Sequence, residues 1–238
     1  MEYRYTPRTD FTFLASGNIF KHFSSMPSFP VRIGLELFER ARHHCGKDKL
    51  VFCDPCCGSG FSAAVLGVMK REELSAIFAS DVDEACVEAA RCNLDLIERE
   101  NLLAARDRLL GKPETSPERA AQLTRSLDEL LPYLETPAPP TSVFRHDILA
   151  APPPIGTADY VFADFPYGEM TAWKGGEERS GDPVGRFFAS VLPILQEGGV
   201  CAVCGRKELK LRADGVPGFR RVDRFSAGKR MAYLFQKI

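Results

Sequence analysis

The chain has 238 residues, 45% of them hydrophobic, and a formal net charge of −1. That length supports one large domain with a full core and leaves a second independent domain cramped, while the near-zero charge excludes a uniformly basic nucleic-acid binder. No apolar run approaches the roughly 20 residues that cross a bilayer, and Met1-Glu2-Tyr3-Arg4 leads into polar residues rather than a signal-peptide core, so a soluble cytoplasmic protein is expected.

In chain order, residues 1–30 read as an N-terminal extension and 31–238 as the main domain. Val31–Cys45 places Val31, Leu35, Phe38 and Ala41 at helical spacing, with Pro30 ahead and Gly46 beyond. Leu50-Val51-Phe52-Cys53 is a short strand, and residues 59–71 resume a helical pattern through Ala63 and Leu66. Strand Ala76-Ile77-Phe78-Ala79 is followed by Asp83 as N-cap of a helix bearing Val87, Ala90, Leu94 and Ile97. The rhythm then breaks over about 98–141. There Ser116-Pro117-Glu118 starts a helix with Leu123, Leu127 and Leu130 on one face, and Pro132 stops it, giving a helical insertion.

Val143-Phe144, Tyr160-Val161-Phe162-Ala163 and Val200-Cys201-Ala202-Val203 supply three more strands, with a helix over 183–196 before the last. Residues 219–225 and 231–235 close the chain as a hairpin around Ala227-Gly228. Strands alternating with helices predict an α/β fold: a Rossmann-like, doubly wound sheet, mostly parallel with a C-terminal antiparallel hairpin.

The eight cysteines, without an export signal, read as reduced thiols. The pairs Cys53/Cys56 and Cys201/Cys204 have zinc-like spacing, but they lie at least partly in strands, where positions i and i+3 face opposite sides. No metal site is expected.

A glycine-rich turn between strand and helix brings backbone amides close to a ligand. Here it reads Asp54-Pro55-Cys56-Cys57-Gly58-Ser59-Gly60. Gly58-Ser59-Gly60-Phe61-Ser62-Ala63 also matches the dinucleotide pattern GxGxxA, with Asp81 about 20 residues on, so an NAD-dependent oxidoreductase is the competing reading. Asp54 argues against it, because a carboxylate at the strand end suits the ammonium of S-adenosylmethionine and would repel a pyrophosphate. The loop resembles motif I of the methyltransferases. Asp81 and Val82, at the tip of the second strand, would meet the cofactor ribose. Asp147 and Ile148 follow the third strand, where Asp147 could accept the adenine amino group or simply make a turn. With Pro55, Cys56 and Ser59 of the loop, these complete the candidate cofactor contacts.

Asp164-Phe165-Pro166-Tyr167 ends the fourth strand, at the edge where open α/β sheets bind ligands. Methyl transfer is an in-line displacement in which the protein aligns a nucleophile and manages one proton. Asp164, Pro166 and Tyr167 are the candidate catalytic residues. The tetrapeptide resembles the (D/N)PPY motif of amino- and ring-nitrogen methyltransferases, with Phe165 in place of the first proline. That resemblance implies that Asp164 and nearby carbonyls accept hydrogen bonds from a target nitrogen and that Tyr167 stacks on a planar substrate. No cysteine lies in or beside the motif to serve as a nucleophile for carbon methylation. Trp173, in the polar glycine-bearing stretch 168–181, is a candidate for base stacking.

Taken together, Phe29-Pro30-Val31-Arg32, the glycine loop, Ala79-Ser80-Asp81-Val82-Asp83, the insertion, and Asp164-Phe165-Pro166-Tyr167-Gly168-Glu169 with Thr171 and Trp173 resemble the AviRa family, the avilamycin-resistance ribosomal RNA methyltransferases. The likeness spans most of the chain and weakens toward the C-terminus. It implies methylation of a guanine ring nitrogen in large-subunit (23S) ribosomal RNA, with S-adenosylmethionine as cofactor. Methylation of DNA or of a protein amide is the alternative within the same chemistry. In that light the basic stretch 205–230, Arg206 and Lys207 above all, together with Arg32, becomes an RNA-phosphate surface. A monomer acting on ribosomal RNA or the large subunit is expected.

Overall fold

The structure, a computed structural model, describes residues 3–23, 28–113, 115–165, 182–208, 210–211 and 216–238. Among these, seven strands form a single sheet: β1 (Leu50–Asp54), β2 (Leu74–Asp81), β3 (Thr141–Arg145), β4 (Ala158–Asp164), β5 (Leu195–Arg206), β6 (Phe219–Ala227) and β7 (Arg230–Lys237). Their spatial order is β3-β2-β1-β4-β5-β7-β6. Pairings among β1 to β5 are parallel, and β7 runs antiparallel between β5 and β6. The order reverses between β1 and β4, and such a switch point opens a crevice beyond the carboxyl ends of the strands.

The helices are α1 (Thr12–Ala15), α2 (Val31–Cys45), α3 (Phe61–Met69), α4 (Glu84–Asp95), α5 (Arg99–Leu110), α6 (Pro117–Leu130) and α7 (Pro183–Val191). Strand alternation sorts the core into two clusters. Phe52, Tyr160, Phe162, Val200, Ala202 and Cys204 pack with α2, α3, Ala90 and Leu94 of α4, and the buried leucines of α6. Cys53, Val161, Ala163, Cys201 and Val203 face α7 on the other side. Cys201 and Cys204 therefore point to opposite layers. Cys53 and Cys56 border the same cluster, contrary to expectation, because β1 ends at Asp54 and strand alternation stops there. Among the described residues no group of three or more His, Cys, Asp or Glu side chains could hold a metal ion. Nor is any helix among them long and apolar enough to cross a membrane.

Most strands extend a residue or more beyond the sequence reading, and three boundaries have an identifiable cause. Helix α3 starts at Phe61 rather than 59, because Gly60 is left-handed at φ 70°. Helix α7 ends at Val191 rather than 196, since Pro193 has no N–H to continue the ladder. Strand β5 already begins at Leu195, and an irregularity in register separates its Ala158↔Leu195 pairing from Tyr160↔Val200. The intervening Gln196-Glu197-Gly198-Gly199 hides that early start from a hydrophobicity pattern.

The N-terminal segment is tied to α2 by a buried carboxylate. Glu36 is fully buried and accepts the backbone N–H groups of Arg4 (2.8 Å), Tyr5 (3.0 Å) and Thr6 (2.9 Å) as well as Arg40 Nε (2.8 Å). Burial alone would raise its pKa, yet those donors outweigh it and hold the group below the ordinary carboxylate value. Arg40 continues the network to Asp223 on β6 at 2.8 Å.

Candidate active site

Asp54, Asp81 and Asp164 are the last residues of β1, β2 and β4, so parallel pairing alone brings them to one edge of the sheet. The glycine loop closes over this edge through its own backbone. Cys57 N donates to Ser80 O (2.9 Å), Gly58 N to Asp81 Oδ2 (2.9 Å), and Gly60 N to Cys57 O (2.8 Å). Gly58 and Gly60 both adopt positive φ, 54° and 70°. At Gly60 a Cβ would also come within 2.8 Å of Ala90 Cβ and 2.9 Å of Ala90 Cα, so glycine is what lets α4 lie against the loop. From α4, the buried Asn93 donates to Ser59 O (2.9 Å) and to Lys21 O (3.0 Å), and its Oδ1 accepts Lys21 N (2.7 Å).

The carboxylates are electrostatically unusual. Asp54 is 2% exposed, and burial pushes its pKa to about 8. The Cys56 amide, 3.3 Å from Oδ1, lowers it, whereas Asp81 and Asp164 raise it further. Asp81 accepts Gly58 N on Oδ2 (2.9 Å) and Asp83 N on Oδ1 (3.0 Å). Asp164 is pushed up to about 6 by burial, with Arg230 pulling the other way through an Nη1–Oδ1 contact of 2.6 Å. Burial and the Asp54 and Asp81 carboxylates drive the thiols of Cys56 and Cys57 well above their ordinary value, a direction that disfavours the thiolate.

The remaining sequence-derived residues divide by position. Pro55, within the loop, is buried. Val82 O accepts Arg145 Nε (3.0 Å), which joins the tip of β2 to the end of β3. Asp147 accepts the Leu149 amide at 2.9 Å, the turn role weighed for it, beside the same edge; Ile148 is buried in the α7-side cluster. Arg32 is engaged by the N-terminal segment: it donates to Thr6 O (2.9 and 3.2 Å) and lies 3.7 Å over the Tyr3 ring. Pro166, Tyr167 and Trp173 lie outside the described residues.

The described basic residues of the stretch 205–230 do not all lie at one edge of the sheet. Arg206 and Lys207 end β5 and are exposed beside Lys229 and Arg230 at the start of β7, and Lys207 N bonds Lys229 O. This group sits on the same sheet edge as Asp164. Arg220 pairs with Gln236 at the opposite edge, and Arg221 bonds Leu211 O. Sequence reading counted Arg230 merely as one charge of the run. Its partnership with Asp164 depends on β7 returning beside β5, and its guanidinium also stacks 5.0 Å from the Phe29 ring. Asn93 left no signal in the sequence, because a buried asparagine inside a helix looks like any polar position.

The family model described as "RRNA methyltransferase AviRa" matches residues 1–230. A Streptomyces viridochromogenes protein named 23S rRNA (guanine(2535)-N(1))-methyltransferase is 34% identical over 239 residues, covering 95% of this chain and 92% of that protein. The solved structure of rRNA methyltransferase aviRa from the same organism superposes with a TM-score of 0.81 at 29% identity, covering 99% of this chain and 96% of the other. TrmN from Thermus thermophilus, at 18% identity and a TM-score of 0.56 over 90% of this chain and 51% of its own, shares the fold.

Proposed function

The chain belongs to the AviRa family of rRNA methyltransferases, and from that membership we propose that it methylates N1 of a guanine in 23S ribosomal RNA, using S-adenosylmethionine. The observation that carries the cofactor assignment is the convergence of Asp54, Asp81 and Asp164 around a loop whose Gly58 amide already bonds a carboxylate. A pyrophosphate there would face carboxylates, whereas a cationic, hydroxyl-rich ligand meets acceptors. The donor set therefore fits S-adenosylmethionine, which when bound supplies an electrophilic methyl on a sulfonium.

Asp54 would hold the ammonium end, Asp81 and Val82 the ribose, and Asp147 with Ile148 the adenine, over a floor made by Pro55, Cys56, Gly58, Ser59 and Gly60. Asp164 ends β4 one strand away and takes the proton from guanine N1. Its raised pKa, near 6, leaves it mostly ionised at neutral pH yet more basic than an ordinary carboxylate, as a general base needs. Pro166 and Tyr167 are assigned to the base by their motif, Trp173 to stacking, and Arg206 and Lys207 to phosphates that position the RNA without reading it. A target base in structured RNA would have to leave its stack to reach Asp164. We place the protein in the cytoplasm, as a monomer working on ribosomal RNA or the large subunit.

Methylation of separated RNA, DNA and protein fractions with labelled cofactor tests the reading, with label expected in large-subunit RNA as N1-methylguanine. Label confined to protein or DNA would overturn it, as would calorimetry in which NAD binds and S-adenosylhomocysteine does not.

A further inference from the structure

Asp164 does not stand alone at the end of β4. Strand pairing aligns it with Cys204 on β5, and Cys204 is in turn opposite Ala232 on β7. Two residues back along β7, on the same face by strand alternation, is Arg230. Its Nη1 lies 2.6 Å from Asp164 Oδ1, and its Cζ lies 5.0 Å from the Phe29 ring centroid. The Arg230 side chain is 15% exposed and that of Asp164 is 26%, so the pair is open to the crevice but largely withdrawn from water. The aromatic face steadies the guanidinium without using its N–H donors. Arg230 also bonds the Cys204 side chain, and the edge places this five-donor guanidinium immediately beside the Asp164 acceptor.

That arrangement is complementary to one side of guanine. Guanine offers a donor at N1 and an acceptor at O6 next to each other, while adenine offers an acceptor at N1 and a donor at its amino group. We propose that Arg230 is a second group touching the target guanine, donating to O6 while Asp164 takes the N1 proton. The inference rests on the reading of Asp164 as the base. As the N1–H bond breaks, its proton passes to an Asp164 oxygen and the N1 electron pair forms the bond to the methyl carbon. The carbon–sulfur bond breaks with its electrons left on sulfur. Negative charge that would build on O6 during this transfer is met by a preorganised donor in a partly dry site, where such donors act most strongly. The pair therefore reads guanine against adenine and assists the chemistry by one contact.

The test is a chemical double-mutant cycle. Turnover is measured on a 23S rRNA fragment whose methylated guanine has been mapped, and on the same fragment carrying 6-thioguanosine there, with wild-type protein and Arg230→Met. Methionine keeps an apolar stem against Phe29. On guanine, Arg230→Met is expected to lose about 10²-fold in kcat/KM, the typical effect of deleting one such donor, with S-adenosylhomocysteine affinity unchanged. Arg230→Lys should recover part of the loss on guanine. The effect of sulfur at position 6 should be at least tenfold different between wild type and Arg230→Met. An equal effect in both would overturn the contact, and so would full activity of Arg230→Met. Arg230→Gln serves in the same cycle if the methionine variant does not fold. Asp164→Asn separates the two readings: if it retains full turnover the base assignment itself fails, whereas an inactive Asp164→Asn with no coupling at O6 removes only the role of Arg230.

Discussion

Replacing Asp54 by asparagine should move stability and cofactor affinity in opposite directions. The carboxyl is buried, its pKa is pushed to about 8, and the neighbouring charges are the acids Asp81 and Asp164. In the folded, ligand-free protein it is therefore protonated at pH 7, whereas in the unfolded chain it ionises near the ordinary value of 3.8. The folded state binds the extra proton, so this residue costs stability as pH rises from about 4 to about 8 and costs nothing below that window. The gap from 3.8 to pH 7, at about 1.4 kcal/mol per pH unit, gives roughly 4 kcal/mol as an upper bound. Asparagine keeps the shape and the acceptor for Cys56 N but cannot ionise. Urea denaturation should find Asp54→Asn more stable than wild type at pH 7, by about 1–4 kcal/mol, with the two curves converging near pH 4. Calorimetry with S-adenosylhomocysteine should show at least tenfold weaker binding, from the lost charged hydrogen bond. Wild-type binding at pH 7 should release a proton, seen as a dependence of the measured heat on the buffer. An Asp54→Asn protein less stable than wild type at pH 7, or a stability difference that does not change with pH, would refute the reasoning.

Because Asp164 must be ionised to accept a proton, kcat/KM should fall about tenfold per pH unit below about 6 and level off above it. Among the described residues the groups facing that carboxylate are Asp54 from β1, Cys204 from β5 and Arg230 from β7, and an acid limb with an ordinary midpoint near 4 would show that they do not set its pKa. Gly60→Ala must hold φ 70° and push a Cβ to 2.8 Å from Ala90, so a loss of roughly 2–4 kcal/mol in thermal or urea unfolding is expected. Gly58→Ala meets open space and should lose only about 1 kcal/mol through its positive φ. Glu36→Gln removes the charge that gathers the Arg4, Tyr5 and Thr6 amides and Arg40, and should cost roughly 3 kcal/mol while exposing the N-terminal segment to limited proteolysis.

The order of the strands, the main helices and the two-sided sheet were legible in the chain, because they follow from local patterns. Alternation places a strand, helical spacing places a helix, and parallel pairing puts strand ends together, so Asp54, Asp81 and Asp164 could be read as one constellation from their positions alone. The residues proposed for the chemistry, Asp164-Phe165-Pro166-Tyr167, are contiguous in sequence, so a local motif was enough to suggest them. What depended on distance in sequence was hidden. The Asp164–Arg230 pair joins positions 66 residues apart, and it exists because an antiparallel β7 inserts between β5 and β6. The same insertion divides a basic run that composition presents as continuous, leaving Arg206 and Lys207 at the site and Arg220 at the far edge. Arg32, read from the sequence as part of an RNA-phosphate surface, also donates to Thr6 O and lies over the Tyr3 ring, contacts with an N-terminal segment that Glu36 gathers and that no local pattern reveals. Sequence determined which residue types end each strand; the tertiary pairing decided which charges meet, since an ion pair forms between neighbours in space and periodicity along the chain carries no record of them.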